Sequence, residues 1–320
     1  MHRRPGYRPS ARGLLTALLL TLLPPGAARA QSACPEYWTV STRACPQVLG
    51  SDPSPFLEVR RLESGRMAPR QPADLIAASA GRPVIVLVHG SYYNAFTAAD
   101  EGARLRADLA SAGAVSQDAL VVAFDWPSQL LVLNVVRDAN EKARRAFVAG
   151  YHLARFLQGF PEGSRVGLVG HSHGGLAVLA ALQLLGGGVL EDGREATALA
   201  SFGPPLRLRA VVIAATSDRH WLAPGQRFDR ALAASEAVLS FYNPLDPALI
   251  THPFGRYSEH RKALGKAGMR AWAADLGPLA DRYREINIAP LLGPRHTFRG
   301  TIVRPGIAPW LAAYLWASGG

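Results

Sequence analysis

The sequence is poor in cysteine and lysine and has no long hydrophobic run. Two cysteines are too few for a disulfide-rich scaffold, and with no third or fourth ligand nearby they do not form a structural zinc site. Only 3 of the 35 cationic residues are lysines, and neither a run of five Lys/Arg residues nor a nucleic-acid-binding motif occurs. Nucleic acid is therefore not an expected partner. The absence of a tandem repeat excludes solenoids and propellers.

The apolar run nearest the N-terminus, Gly13–Leu23, has eleven residues and is too short to span a bilayer comfortably. It follows a basic start and precedes Pro24–Gly26, and Ala28 and Ala30 are the small residues that signal peptidase requires. We therefore expect residues 1–30 to be a signal peptide cleaved after Ala30. The mature protein is then secreted or periplasmic, with no stable membrane span; a retained N-terminal anchor is the alternative.

Composition indicates a globular protein, with 48% hydrophobic and 18% charged residues in 320. The formal net charge is +11, but residues 1–30 contain five arginines and no acids. The remaining chain therefore carries +6, as dispersed arginines. No linker interrupts the later part of the chain, which predicts a single domain over residues 31–320.

The two cysteines, Cys34 and Cys45, lie just after the predicted cleavage site. Because an exported chain meets oxidising conditions, the pair is expected to form a disulfide. It would clip an N-terminal segment, residues 31–70, into a small loop or hairpin. Two free thiols are the alternative.

Short apolar runs alternate with helical patterns from about residue 80 onward, which predicts an α/β fold with a mostly parallel central sheet and helices on both faces. The predicted strands are Tyr37–Ser41, Phe56–Arg61, Pro83–His89, Ala119–Asp125, Arg165–Gly170, Arg209–Thr216, Ala237–Tyr242 and Glu285–Ala289. The predicted helices are Thr97–Gly113, Asp138–Gln158, Gly174–Leu185 and Ile307–Ser318. Residues 191–208 and 251–280 read as long connections, although a helix is an alternative for residues 261–276.

One local motif carries chemistry: Gly170-His171-Ser172-His173-Gly174-Gly175, between a predicted strand and a predicted helix. A sharp strand-to-helix turn forces the central serine into a strained backbone conformation. Neighbours two residues away must then be small, which explains Gly170 and Gly174. The motif predicts Ser172 as a nucleophile at the start of a helix.

The chain resembles the α/β-hydrolase superfamily over roughly residues 80–300. It is especially similar to a bacterial group of poorly characterised hydrolases, in which a His-Gly motif and a Trp-Pro-Ser motif precede the serine turn. Here these motifs are His89–Asn94 and Trp126–Gln129. Motif order and spacing are specific for the fold rather than for a substrate.

The resemblance implies the chain order serine, acid, histidine. His296, the last histidine, follows the last predicted strand and is the expected base. Asp246, four residues after the strand Ala237–Tyr242, is the expected acid, and Asp218 is the alternative. His252 and His260 precede the last strand and are poor candidates for the base.

The resemblance also implies an oxyanion hole of two backbone N–H groups. One belongs to His173 and the other to Ser91, with Tyr92 as the alternative. His89 is expected to hold this loop by hydrogen bonds. Tyr92, Tyr93 and Trp126 line a substrate pocket or belong to the core. No metal or cofactor is expected.

These features together predict a secreted serine hydrolase that cleaves a small-molecule carboxylic ester or other acyl substrate through an acyl-enzyme with a Ser-His-Asp triad. A lipase or peptidase variant of this chemistry is one alternative. A non-catalytic binding protein on the same fold is another, although such relatives lose the serine or the histidine. The oligomeric state does not follow from the sequence.

Overall fold

A computed structural model describes residues 34–130, 133–201 and 203–317, so the predicted signal peptide lies outside the described residues. The strands are β1 Glu36–Ser41, β2 Glu58–Glu63, β3 Arg66–Arg70, β4 Val84–Val88, β5 Leu120–Asp125, β6 Arg165–His171, β7 Leu190–Glu191, β8 Ala196–Thr197, β9 Arg207–Ile213, β10 Ala237–Tyr242 and β11 Tyr283–Asn287. The α-helices are α1 Pro72–Ala78, α2 Ala95–Ser111, α3 Val135–Leu157, α4 His173–Leu185, α5 Leu264–Ala267, α6 Ala289–Leu292, α7 Arg299–Ile302 and α8 Ala308–Tyr314. Three further segments are 3₁₀-helical: Ser54–Phe56, His252–Phe254 and Arg270–Arg282.

Nine strands form the central sheet in the order β11-β10-β9-β6-β4-β5-β1-β2-β3. The seven strands from β11 to β1 run parallel, and the hairpin of β2 and β3 extends the β1 edge in antiparallel fashion. The predicted mostly parallel α/β sheet is therefore confirmed. β4, with neighbours β5 and β6, lies where the strand order reverses, and in open sheets the ligand crevice is found beyond such a point.

Helices cover both faces of the sheet, because all five residues of β4 and the first five of β5 are apolar and buried. Val84, Val86 and Val88 of β4 belong to the core cluster that includes α3 and α4. The alternating Ile85 and Leu87 belong to the cluster that includes α2 and α8. This alternation is the two-residue period of a strand buried on both faces.

The helix α4 begins at the predicted nucleophile and packs closely on α3. A Cβ at Gly150 of α3 would lie 2.6 Å from the Ala180 Cβ of α4, so only glycine permits this approach. Every residue of α4 from Gly174 to Leu184 is buried. The start of α4 is thus fixed by the core.

The predicted disulfide is wrong, because both cysteines are free, with Cys34 exposed and Cys45 buried. Cys34 precedes β1 and Cys45 follows it, and β1 is a fully extended strand paired with both β5 and β2. A six-residue strand spans about 20 Å. A disulfide needs Cα atoms only about 4.4–6.8 Å apart.

Two regions differ from the sequence prediction in detail. The predicted connection over residues 191–208 overlaps the small β7–β8 hairpin and the start of β9. The alternative helix over residues 261–276 is replaced by α5 and a 3₁₀ segment that Gly277 and Pro278 interrupt. The described residues from Cys34 onward form one compact unit. Among the described residues, no helix is both long and apolar enough to cross a membrane.

Candidate functional site

Ser172 lies at the turn between β6 and α4 with φ 55° and ψ −121°, a strained conformation for a residue with a Cβ. The surrounding glycines are required by contact. A Cβ at Gly174 would lie 2.2 Å from the Val88 carbonyl oxygen, and one at Gly170 would lie 2.5 Å from the Gly174 oxygen. The turn therefore holds the serine against the carboxyl ends of β4 and β6.

The His89-Gly90 segment lies beside this turn. A Cβ at Gly90 would be 2.9 Å from His171 Nδ1 and 3.2 Å from the Ser172 Cβ. Glycine thus lets the loop after β4 reach the serine. Ser172 and Gly90 lie at the topological switch point of the sheet, where the ligand crevice of an open α/β sheet is found.

Asp246 and His296 are brought together by the loops after β10 and β11. His296 Nδ1 lies 2.6 Å from Asp246 Oδ2, and the Asp246 side chain is fully buried. Asp246 Oδ1 also accepts from the Ala248 N–H at 2.9 Å. The His296 ring lies 4.6 Å, centroid to centroid, from the ring of His171, next to Ser172. Within the described residues, Ser172 Oγ and His296 do not form a hydrogen bond, and such contacts are often long in unliganded sites.

Asn243, which the sequence analysis missed, ties the two loops together. Its fully buried side-chain amide donates to the carbonyl oxygens of Gly293, at 2.8 Å, and Arg295, at 3.2 Å. The Asp246 N–H donates to the Asn243 oxygen at 3.0 Å. One residue therefore sets the distance between the acid and the histidine. The only sequence feature at Asn243 is the Asn-Pro turn. It does not indicate which residues the Asn243 side chain binds.

The loop after β4 presents backbone donors toward the serine turn. The Tyr92 N–H donates to the Ser128 oxygen at 2.7 Å and is not free. The Ser91 and His173 N–H groups make no hydrogen bond within the described part of the chain. The Ser91 hydroxyl lies 2.9 Å from His173 Nδ1, which links the two segments. This arrangement matches the pair Ser91 and His173 rather than the alternative Tyr92.

A network of ionic and hydrogen-bonding contacts holds the loop after β4 in place. Arg43, just after β1, makes a bidentate contact with Asp125 at the end of β5, with 2.7 Å from Nε to Oδ2 and from Nη2 to Oδ1. His89 Nε2 lies 3.1 Å from Asp125 Oδ1. Burial alone would raise the pKa of Asp125, but the hydrogen bonds from His89 and Arg43 outweigh it and lower that pKa. Arg43 also donates to the Tyr93 oxygen at 2.9 Å, which fixes the loop.

The three aromatic pocket candidates lie elsewhere. Trp126 is fully buried and stacks on His89 at 5.7 Å, so it belongs to the core. Tyr93 is half-buried at 5.0 Å from the His89 ring. Tyr92 is 65% exposed and covers the ammonium of Lys142, whose Nζ lies 3.3 Å from the ring centre. Trp126 thus fits the core alternative, and a substrate pocket lined by Tyr92 and Tyr93 stays a prediction.

The alternative acid, Asp218, is not paired with His296. Its Oδ1 lies 2.6 Å from His252 Nε2 and accepts from the Ser258 hydroxyl at 2.9 Å, while Oδ2 accepts from the Glu259 N–H at 2.7 Å. Asp218 and His252 form a second, separate Asp–His pair. This geometry favours Asp246 as the partner of His296.

The cavity beside the serine turn has a volume of about 100 Å³. His173 and His252 both line it, so it connects the start of α4 with the second Asp–His pair. Burial lowers the pKa of His173 to about 3, so this side chain is neutral. The apolar residues of the wall include Val136, Ala143, Leu176, Trp221, Ala248 and Leu249.

Three groups in the described residues come close enough to share a metal ion. Donor atoms of Asp218, His220 and Glu259 lie within 4.8 Å of one another. His220 Nε2 is 2.9 Å from Glu259 Oε2, and Trp221 Nε1 donates to Glu259 Oε1 at 3.0 Å. These atoms already have partners, so the cluster is explained as a hydrogen-bond network.

Comparison with known proteins agrees with the fold. A sequence profile described as the alpha/beta hydrolase family matches residues 85–318. No curated protein matches. A crystal structure of EstE5-PMSF is similar with 13% identity, covering 82% of this chain and 82% of that chain, at a TM-score of 0.34. A crystal structure of esterase B from Lactobacillus rhamnosis with a tributyrin phosphonate has 12% identity, covering 84% and 79%, at a TM-score of 0.35. Because the profile covers most of its length, the chain belongs to the alpha/beta hydrolase family.

Proposed function

We propose that this protein is a serine hydrolase that cleaves carboxylic esters through an acyl-enzyme. Ser172 Oγ attacks the ester carbonyl while its proton passes to His296, and the oxyanion accepts from the Ser91 and His173 N–H groups. The carbon–oxygen bond to the alcohol then breaks as His296 returns the proton to it. A water molecule repeats both steps and releases the acid.

The observation that carries the proposal is the 2.6 Å pair of His296 Nδ1 and the fully buried Asp246 carboxylate, beside the strained Ser172. A carboxylate on Nδ1 fixes the tautomer that leaves Nε2 as the base and stabilises the imidazolium that forms. The N-terminus of α4 adds a favourable field for the oxyanion. Among the described residues, nothing favours amide cleavage over ester cleavage. Nothing there favours a purely binding role over catalysis either.

A fluorophosphonate probe and a pH-stat assay with methyl butyrate test the proposal. We expect the probe to modify Ser172, and Ser172→Ala to lose labelling together with a factor of about 10⁶ in kcat. Asp246→Asn is expected to lose about 10⁴ in kcat, because the histidine adopts the wrong tautomer. Ser164→Ala, which changes a serine outside the site, is the control. Unlabelled wild-type protein, or an active Ser172→Ala variant, would contradict the proposal and favour a non-catalytic role.

We propose further that the mature chain acts outside the cytoplasm, in a secreted or periplasmic location. The support is the basic start, the short apolar run and the Ala28-Arg29-Ala30 site in the sequence. The intact mass of the exported protein tests this, because cleavage after Ala30 leaves Gln31 as the first residue. A mass that includes residues 1–30 would contradict it.

A further inference from the structure

Lys142 and Asp138 form a buried ion pair that the proposed reaction does not use. They lie four residues apart on α3, the Lys142 ammonium donates to Asp138 Oδ2, and both side chains are 1% exposed. Most pairs at this helical spacing lie on the surface, where water solvates both charges. Inside a protein the cost of desolvation can exceed the attraction between the charges, so stability alone is a weak reason for such a pair.

The Lys142 ammonium lies against the ring of Tyr92. Its Nζ is 3.3 Å from the ring centre, and Tyr92 itself is exposed, so the ring covers the buried charge. A cation is attracted to the face of an aromatic ring, and removal of water from the cation strengthens the attraction. Burial lowers the pKa of Lys142, while the hydrogen bond and the charge of Asp138 oppose that effect and favour the ammonium. The ion pair therefore presents a cation that fixes the position of the ring.

The backbone of Tyr92 is held in an unfavourable conformation. Its φ is 73°, in the left-handed region that a residue with a Cβ rarely adopts. Such a conformation persists only where the surrounding contacts impose it. The Tyr92 N–H donates to the Ser128 carbonyl oxygen at 2.7 Å, which fixes the backbone, and the ring on Lys142 fixes the side chain.

The conformation of Tyr92 matters because Ser91 directly precedes it. The Ser91 N–H is one proposed oxyanion donor, and its hydroxyl lies 2.9 Å from Nδ1 of His173, which supplies the other donor. Ser91 and Tyr92 share a peptide unit, so a relaxed Tyr92 backbone would let Ser91 turn away from His173. A displacement of about 1 Å at a catalytic group can lower a rate about a hundredfold.

We propose that Lys142 is a positioning residue for the oxyanion hole, because its buried ammonium holds the Tyr92 ring and thereby the Ser91 N–H beside that of His173. Asp138 keeps the ammonium in place. The inference rests on the proposed ester hydrolase function and concerns the same site. Loss of the contact between ring and ammonium lowers transition-state stabilisation and leaves substrate binding intact, because the oxyanion forms only after the attack.

Tyr92→Leu tests the contact, and it opens no buried cavity because Tyr92 is exposed. We expect kcat for methyl butyrate to fall about tenfold, with KM within about twofold of the wild-type value. The affinity for butylboronic acid, which forms a tetrahedral anion on Ser172 Oγ, should fall by a similar factor. Tyr92→Phe keeps the aromatic face and should bring both values back to within about twofold of the wild-type protein.

A double-mutant cycle tests whether Lys142 acts through the ring. Lys142→Met removes the charge and should lower kcat about tenfold. The variant that combines Lys142→Met with Tyr92→Leu should then lose about tenfold as well, and not the roughly hundredfold expected of independent sites. Each rate is divided by the concentration of sites that a fluorophosphonate titrates, so that unfolded protein does not contribute.

Phe96→Leu is the matched control, because Phe96 is another exposed aromatic residue shortly after β4, and its kcat should equal that of the wild-type protein. Wild-type kcat and boronate affinity in Tyr92→Leu, or additive losses in the double variant, would overturn the inference while the ester hydrolase stands. A rise in KM alone would assign Tyr92 to a substrate pocket and overturn it too. If Ser172→Ala stays active, the proposed function itself fails.

Discussion

At the residue scale, the site depends on the glycines around Ser172 as much as on its polar side chains. Ser172 keeps its unusual backbone angles because neighbouring positions lack a Cβ that would collide with β4 and α4. The spacing of Gly170 and Gly174 around the serine was readable in the sequence, because the constraint is local to one turn. The distance of 2.2 Å from a Gly174 Cβ to the Val88 oxygen shows how little room the turn has.

Gly174→Ala is therefore expected to damage both stability and activity. The added methyl group must displace the β4 backbone at Val88, which costs about 1–3 kcal/mol of the free energy of unfolding. The same movement shifts Ser172 relative to the Ser91 loop and lowers kcat. Urea unfolding and the ester assay measure the two effects.

Gly306→Ala is the matched control for this substitution. Its Cβ would meet only Leu291 Cδ1, at an ordinary contact distance of 3.6 Å, so we expect a change within about 0.5 kcal/mol. A Gly174→Ala protein with the stability and activity of the wild-type protein would show that the turn tolerates a side chain.

Other residues of the site were beyond the reach of sequence reasoning. Asn243 acts on carbonyl groups 50 and 52 residues away, and Arg43 acts on Asp125 across 82 residues. Neither residue belongs to a recognisable motif, and only the folded chain brings the partners together.

At the element scale, the buried parallel strands were the most predictable part of the fold. β10 has the predicted bounds, and the ends of β4, β5 and β6 differ from the predicted ones by no more than one residue, because continuous apolar runs leave few alternatives. The β2–β3 hairpin was only half recognised, since β3 is polar and partly exposed at the sheet edge. The turn-rich stretch that holds His252 has no periodicity, so its place at the cavity was not predictable.

The long helix α3 buries a histidine whose effect is testable through pH. His152 is fully buried, and neither ring nitrogen has a partner among the described residues. Burial lowers its pKa from 6.5 to about 4. Between these values the unfolded chain binds a proton that the folded chain does not, so the free energy of unfolding falls as the pH falls.

We expect His152→Leu to weaken this pH dependence. The histidine accounts for about 3 kcal/mol between pH 7 and pH 4, and the variant should gain that much relative to the wild-type protein over this range. Urea unfolding at several pH values measures the difference. Above pH 7 the difference should be constant, which serves as the internal control. Parallel pH curves for the two proteins would refute the assignment.

At the scale of the whole molecule, the first strand of the sheet decides how the two cysteines behave. β1 is an extended strand paired with β5 on one side and β2 on the other, so Cys34 and Cys45 lie beyond its opposite ends. The sequence argument for a disulfide used only cysteine number and compartment. It failed because neither says whether the chain between the cysteines is looped or extended.

Thiol titration tests this arrangement on the exported protein. We expect a maleimide to modify exposed Cys34 rapidly in the folded protein and to leave Cys45 almost unmodified, because burial raises the pKa of the Cys45 thiol to about 11 and little thiolate forms. Unfolding without reductant should expose the second thiol, so that both residues react. The same unfolded sample with reductant sets the value for two free thiols. If unfolded protein reacts only after reduction, the cysteines are paired in the exported chain, and the N-terminal segment must then leave the extended path that β1 takes along β5.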